Sequence, residues 1–152
     1  MSLASDMAVL RRVPFFERFG DDHLRLLAFG GENMRFKAND TLFSSGDATE
    51  GGLVILSGQV LLTTARQKDD DDGERFKVGT LLGQRALLAE TKRRHTATAV
   101  TGVEVMSIRR ALFKRMLSEY PDLATQLYAS MSSELLSLTA QASVVVGGKP
   151  KF

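Results

Sequence analysis

Residues 81–100 read LLGQRALLAETKRRHTATAV. Gly83 opens a short apolar run, Arg85-Ala86-Leu87-Leu88, whose spacing predicts a brief helix. Three consecutive cations follow, Lys92, Arg93 and Arg94, then His95 and an alternating Thr96-Ala97-Thr98-Ala99 stretch of strand period. A helix N-terminus carries unpaired backbone N–H groups and a partial positive charge. Gly83 supplies no capping side chain, so the amides of about Gln84 to Ala86 are expected to be open to an external anion. The neighbouring cations would complete a phosphate site, since an arginine fork matches phosphate oxygens well.

Outward from this stretch, residues 33–108 alternate short apolar runs with turn residues. The runs are MRF, TLF, LVIL, QVLLTTA, ERFKV, TATAV and VEVMSI. Between them lie Ala38-Asn39-Asp40, Ser45-Gly46-Asp47, Gly51-Gly52, Ser57-Gly58, the Asp69 to Gly73 segment, Gly79 and Gly102. Strands at this rhythm predict an antiparallel sandwich or barrel, interrupted only by the helical run at 83–90. Upstream, Leu3, Met7 and Leu10 predict an amphipathic helix over 3–11, broken by Pro14. A second helix at about 21–29 carries Leu24, Leu27 and Ala28 on one side, with Asp21 as its N-cap. Downstream, Ala111–Ser118 is one helix, and Pro121 suits the first turn of the next. That last helix places Leu123, Leu127, Met131, Leu135, Leu138 and Ala142 at three- and four-residue steps, to about residue 142. The expectation is a mainly β fold with flanking helices: one domain over residues 1–143, then a tail at 144–152.

The chain has 152 residues, 43% hydrophobic and 25% charged, enough apolar side chains for one real core. The formal net charge is only +2, so any anion site must be local rather than a property of the whole surface. There is no cysteine, which excludes disulfides, thiolate catalysis and cysteine-ligated zinc. The longest apolar runs fall well short of the ~18 residues of a membrane span. Asp6 precedes a very short apolar run and basic residues follow it, the reverse of a signal peptide. A cytoplasmic protein of bacterial type is expected.

The ordered motifs resemble the cyclic nucleotide-binding domain of bacterial cAMP receptor-like (Crp/Fnr) regulators and of eukaryotic kinases and channels. The likeness runs from about Val13 to Ala142. Val13-Pro14-Phe15-Phe16 is similar to the family's entry motif, and Ser45-Gly46-Asp47 and Leu56-Ser57-Gly58-Gln59-Val60 to its early glycine turns. Gly79-Thr80-Leu81-Leu82-Gly83-Gln84 resembles the approach to the phosphate-binding cassette, and Thr96-Ala97-Thr98 the strand that closes it. Phe113 and Pro121 stand where the family has them. The resemblance implies a jelly-roll β-roll and a cyclic nucleotide such as cAMP or cGMP as ligand, with no other cofactor. It implies ligand contacts at Gly83, Gln84, Arg85, Ala86, Arg94, His95 and Thr96. Two positions depart from the family pattern. Gln84 stands where the family has the glutamate that accepts the ribose 2′-hydroxyl. His95 stands directly before Thr96-Ala97, where the family has the arginine that grips the phosphate, with Arg94 one residue earlier. The phosphate ligand is left as Arg94 or His95.

Other features carry less. Asp69 to Asp72 fails as an EF-hand loop, because Lys68 would fall at the first ligand and Gly79 at the last. It reads as a solvated hairpin tip. His23 and His95 are the only histidines, too few for a metal-dependent barrel enzyme, and His23 reads as a surface helix residue. No Gly-x-Ser-x-Gly elbow or Walker loop appears. The expectation is not an enzyme but a stand-alone sensor or regulatory domain with an altered cassette. The alternative is a dimerisation or interaction scaffold whose cassette no longer binds nucleotide. The resemblance implies a homodimer through residues 121–142, with Thr125, Ser130, Ser132 or Ser133 near the base. Ten residues follow Ala142, so no helix-turn-helix domain and no direct DNA binding are expected, nor any membrane contact; a protein partner is expected but not named.

Overall fold

The computed structural model describes residues 2–64 and 73–140, and side chains as far as Met131 in the last helix. The Asp69–Asp72 segment, the helix end at about 142, the domain boundary at 143 and the tail at 144–152 lie outside the described residues.

Among the described residues, eight strands follow two short helices. Helix α1 spans Leu3–Leu10, and Ser2 caps it by accepting the Ser5 amide at 3.1 Å. Pro14–Phe16 form a 3₁₀ turn, where proline at the first position costs no hydrogen bond. Helix α2 spans Asp21–Gly30, and its cap differs from the sequence expectation. Gly20, not Asp21, is the N-cap, and His23 Nδ1 accepts the Gly20 amide at 2.9 Å. His23 is accordingly half-buried rather than a surface residue. Its ring stands edge-on to Tyr120 at 4.4 Å and to Phe19 at 6.0 Å.

The strands are β1 Glu32–Phe36, β2 Thr41–Phe43, β3 Gly51–Ser57, β4 Val60–Thr63, β5 Glu74–Phe76, β6 Leu81–Leu82, β7 Thr96–Ala99 and β8 Val103–Arg109. They form two antiparallel four-stranded sheets, ordered β1-β8-β3-β6 and β2-β7-β4-β5. Together they make the expected jelly roll. The alternating side chains of a strand go to opposite faces, and β8 shows why two cores result. Val103 and Val105 point between the sheets, with Ile55, Val60, Leu62, Leu82, Ala97 and Ala99. Met106 and Ile108 point the other way, onto the helices, with Val54 and Leu56 of β3. Strands β3 and β8 are therefore covered on both faces and read as nearly continuous apolar runs. Glu104 of β8 is buried on the helix side, where Arg35 Nε donates to it at 2.9 Å.

Helix α3 spans Arg110–Glu119, and α4 spans Pro121–Ala140. Phe113 of α3 closes an aromatic cluster with Phe15, Phe16 and Phe19, at centroid distances of 6.1, 6.4 and 6.0 Å. Helix α4 packs on α3 and buries Leu123 and Leu127 beside Phe15 and Phe19. Leu123 and Leu127 of its apolar stripe thus meet the N-terminal turn and α3. Among the described residues, no helix is long and apolar enough to cross a membrane.

Candidate functional site

The expected helix at 83–90 is a single 3₁₀ turn, Arg85–Leu87. An apolar run of four residues suits a helix or a buried turn equally, and here the turn buries Ala86 and Leu87. The Ala86 amide donates to the Gly83 carbonyl at 3.0 Å, and Leu87 to Gln84 at 3.3 Å. Two amides, those of Gln84 and Arg85, therefore precede the first internal bond. The third amide that the sequence left open, that of Ala86, is engaged.

Gly83 has φ +98°, a conformation that side-chain-bearing residues rarely adopt. Space forbids a side chain there as well. A Cβ would lie 2.6 Å from Arg93 Nη1 and 3.2 Å from the Gly51 carbonyl oxygen. We expect Gly83→Ala to lower stability by about 2 kcal/mol, from backbone strain and displacement of Arg93. Urea denaturation beside Gly46→Ala checks this, because Gly46 has φ +93° but open space around its missing Cβ.

The opposite wall is set by a distant pairing. The Arg93 amide donates to the Asp47 carbonyl at 2.8 Å, and its carbonyl accepts from Gly46 at 2.7 Å. Lys92 bridges Ala48, and Thr49 and Thr91 meet through backbone and hydroxyl groups. This lacing turns the Arg93 side chain inward. Its Nη2 donates to the Gly51 carbonyl at 3.2 Å and its Nη1 to Leu82 at 3.5 Å. Its Cζ lies 4.1 Å from the Phe43 ring centroid, a cation–π contact. Burial lowers its pKa, and the charge of Asp47 raises it in part. No ion pair reaches Arg93 among the described residues. It is a half-buried cation held by carbonyl dipoles, with donors to spare.

Arg93 opens onto a cavity of about 370 Å³. Phe43, Leu62 and Ala86 line its apolar part, and Thr49, Thr91 and Gly83 its polar part. Arg85, Lys92, Arg94 and His95 also line it. Of the residues expected from the sequence, Gly83, Arg85, Ala86, Arg94 and His95 come together here. Gln84 and Thr96 do not line the cavity; the Thr96 hydroxyl accepts the Ser45 amide at 3.0 Å. Arg93 was not among the expected ligand residues, although of the Lys and Arg residues lining the cavity it alone is not exposed. Counting forward from Gly83, instead of back from Thr96, is the signal that would have included it.

No described side chain of α4 lines the cavity. Thr125 donates its hydroxyl to the Pro121 carbonyl at 3.0 Å, and Ser130 lies in the groove beside Phe15 and Leu127. The side chains of Ser132 and Ser133 lie outside the described residues. Arg110, the first residue of α3, does reach the cassette. Its Nε donates to the Ala86 carbonyl at 2.8 Å, and its Nη2 to the Thr49 carbonyl and hydroxyl at 2.8 and 2.9 Å. An arginine opposes the dipole at a helix N-terminus, and these three bonds offset that cost.

The family model for the cyclic nucleotide-binding domain matches residues 33–120. A cyclic nucleotide-binding-like protein of Brucella abortus is 34% identical, with a TM-score of 0.64, covering 74% of this chain and 97% of that one. The N-terminal domain of a transcriptional regulator from Streptomyces coelicolor is 26% identical, with a TM-score of 0.76, covering 88% and 93%. Lysophospholipase NTE1 of Pyricularia oryzae is 26% identical over 121 residues, which are 78% of this chain and 8% of that protein. The chain thus spans under a tenth of that relative's length.

Proposed function

Since the chain belongs to the cyclic nucleotide-binding domain family, we propose that it is a regulatory module that binds a cyclic nucleotide or a related anion in the cavity beside Gly83, and not an enzyme. The observation that carries this reading is Arg93, a desolvated guanidinium facing the cavity with no carboxylate bonded to it among the described residues. The ligand phosphate sits on Arg93 and on the Arg85 amide, with Arg94 and His95 at the entrance. Phe43, Leu62 and Ala86 give the rest of the ligand an apolar wall. Neutral Gln84 stands at the family's glutamate position and supplies no charge for a ribose hydroxyl, so affinity is lower than a carboxylate would give. Helix α4 forms the dimer seam, and the module acts in the cytoplasm.

Calorimetric titration with cAMP and cGMP tests the reading, with Arg94→Ala and His95→Ala alongside. Saturable binding, weakened by either substitution, is expected. No heat and no thermal shift at millimolar nucleotide would favour an interaction scaffold, because a ligand of the folded state must raise its apparent stability.

Arg110 is the physical link from the cassette to the C-terminal helices. Ligand that shifts the 85–87 turn moves the Ala86 carbonyl, and with it the start of α3, on which α4 packs. Arg110→Met keeps most of the alkyl chain and loses three bonds. We expect it to cost about 2 kcal/mol in urea denaturation. It should leave nucleotide affinity within a few-fold while abolishing ligand-dependent hydrogen-exchange protection in α3 and α4.

A further inference from the structure

The charges around the cavity are one-sided. The chain holds 20 Lys and Arg against 18 Asp and Glu, yet four Lys or Arg side chains line the cavity and, among the described residues, no acid does. Arg93 lies deep; Arg85, Lys92 and Arg94 are exposed around it. None of the four has an ion pair among the described residues, whereas Arg11, Arg25, Arg35, Arg109 and Arg115 each pair with a carboxylate elsewhere. Asp47 lies behind Arg93 and acts on it through space without lining the cavity.

A cyclic phosphodiester brings one negative charge, which Arg93 alone balances. Three like charges then remain crowded around an uncharged ligand edge. A phosphate monoester brings about −1.5 to −2 at neutral pH and three terminal oxygens. Arg93 has five N–H donors and spends one on each of two carbonyls, leaving three for those oxygens. The cavity volume and the wall of Phe43, Leu62 and Ala86 suit a ligand of mononucleotide size with an aromatic part.

We propose that the ligand of this cavity is a small phosphate monoester carrying a terminal dianionic phosphate, of the nucleoside monophosphate class. This rests on the reading of the cavity as an anion site and narrows the kind of anion it takes. Arg93 holds the phosphate at depth, and Arg85, Lys92 and Arg94 select for its second charge.

The test is calorimetry of the whole chain at pH 7.5 and low salt, with two matched pairs: 5′-AMP against cAMP, and 5′-GMP against cGMP. Inorganic phosphate is titrated separately. The monoester of at least one pair should bind about tenfold tighter than its cyclic partner, since three exposed cations each add a small, screened attraction. The preference should shrink towards unity in the Arg85→Gln/Arg94→Gln double variant, whose changes are exposed and leave the fold intact by circular dichroism. Arg93→Met should abolish binding of both members. A cyclic nucleotide that binds as tightly as its monoester, or tighter, overturns the proposal and leaves the anion-site reading standing. Inorganic phosphate binding as tightly as the monoesters overturns the ester and makes the ligand free phosphate. No binding by any of the five probes overturns the anion-site reading itself.

Discussion

Arg93→Met should abolish nucleotide binding, by about 100-fold or more, and leave the folded state about as stable as before. Binding and stability separate here because the guanidinium is costly where it sits. Burial lowers its pKa, so the protein pays to keep it charged, and among the described residues no carboxylate bonds to it. Its compensation is two carbonyls, at 3.2 and 3.5 Å, and the face of Phe43. Methionine retains the stem against Phe43 and removes the desolvated charge, so the net effect on stability is within about 1 kcal/mol. A bound phosphate, by contrast, loses charge-assisted bonds that nothing nearby replaces. Titration calorimetry and urea denaturation on one preparation check both halves. A variant that fails to fold would mean that Arg93 holds the β3–β6 edge together, and is structural first.

The largest loss of stability is expected from Gly51→Ala. Gly51 opens β3 and lies opposite Arg109 at the end of β8. A Cβ there would run into the Ile108 carbonyl oxygen and lie 2.8 Å from the Arg109 Cα. Both obstacles are backbone of a central strand, so no side-chain rotation relieves them. The strands must part where the sheet is covered on both faces, at about 4 kcal/mol or more. Thermal unfolding should show a midpoint lower by about 10 °C or more for a chain of this size. The Gly51 carbonyl is also an Arg93 acceptor, so any variant that survives should bind nucleotide more weakly.

The succession of strands was readable because nearly every strand is short and closed by Gly, Asn or Asp. The helix at Pro121 was readable because proline marks a first turn. The cap of α2 was not, since Asp21 is the usual signal and a histidine acceptor at His23 took the role. The placement of Arg93 was hidden for a deeper reason. Alternation along a strand tells neighbours apart only where the strand is continuous, and β7 begins at Thr96. Ahead of it, the register of residues 91–95 is dictated by Ser44–Thr49, some 45 residues away in sequence. No local pattern in KRRH reports that pairing. The packing of the last helix was equally non-local: Leu123 and Leu127 seat against phenylalanines that precede the entire β-roll.

The contact between His23 and Tyr120 gives the molecule an optical property. The chain has no tryptophan and only two tyrosines. Tyr120 is the hinge residue between α3 and α4, and Tyr128 is half-exposed on α4 itself. All of the intrinsic tyrosine emission therefore originates at the α3–α4 joint and on α4, the helices through which a ligand signal would leave the β-roll. The His23 imidazole of α2 lies 4.4 Å from the Tyr120 ring, so the surroundings of that tyrosine report how α2 and the joint sit against each other. An unlabelled sample in a fluorimeter reads the output end of the domain directly, with no emission from the ligand cavity to subtract.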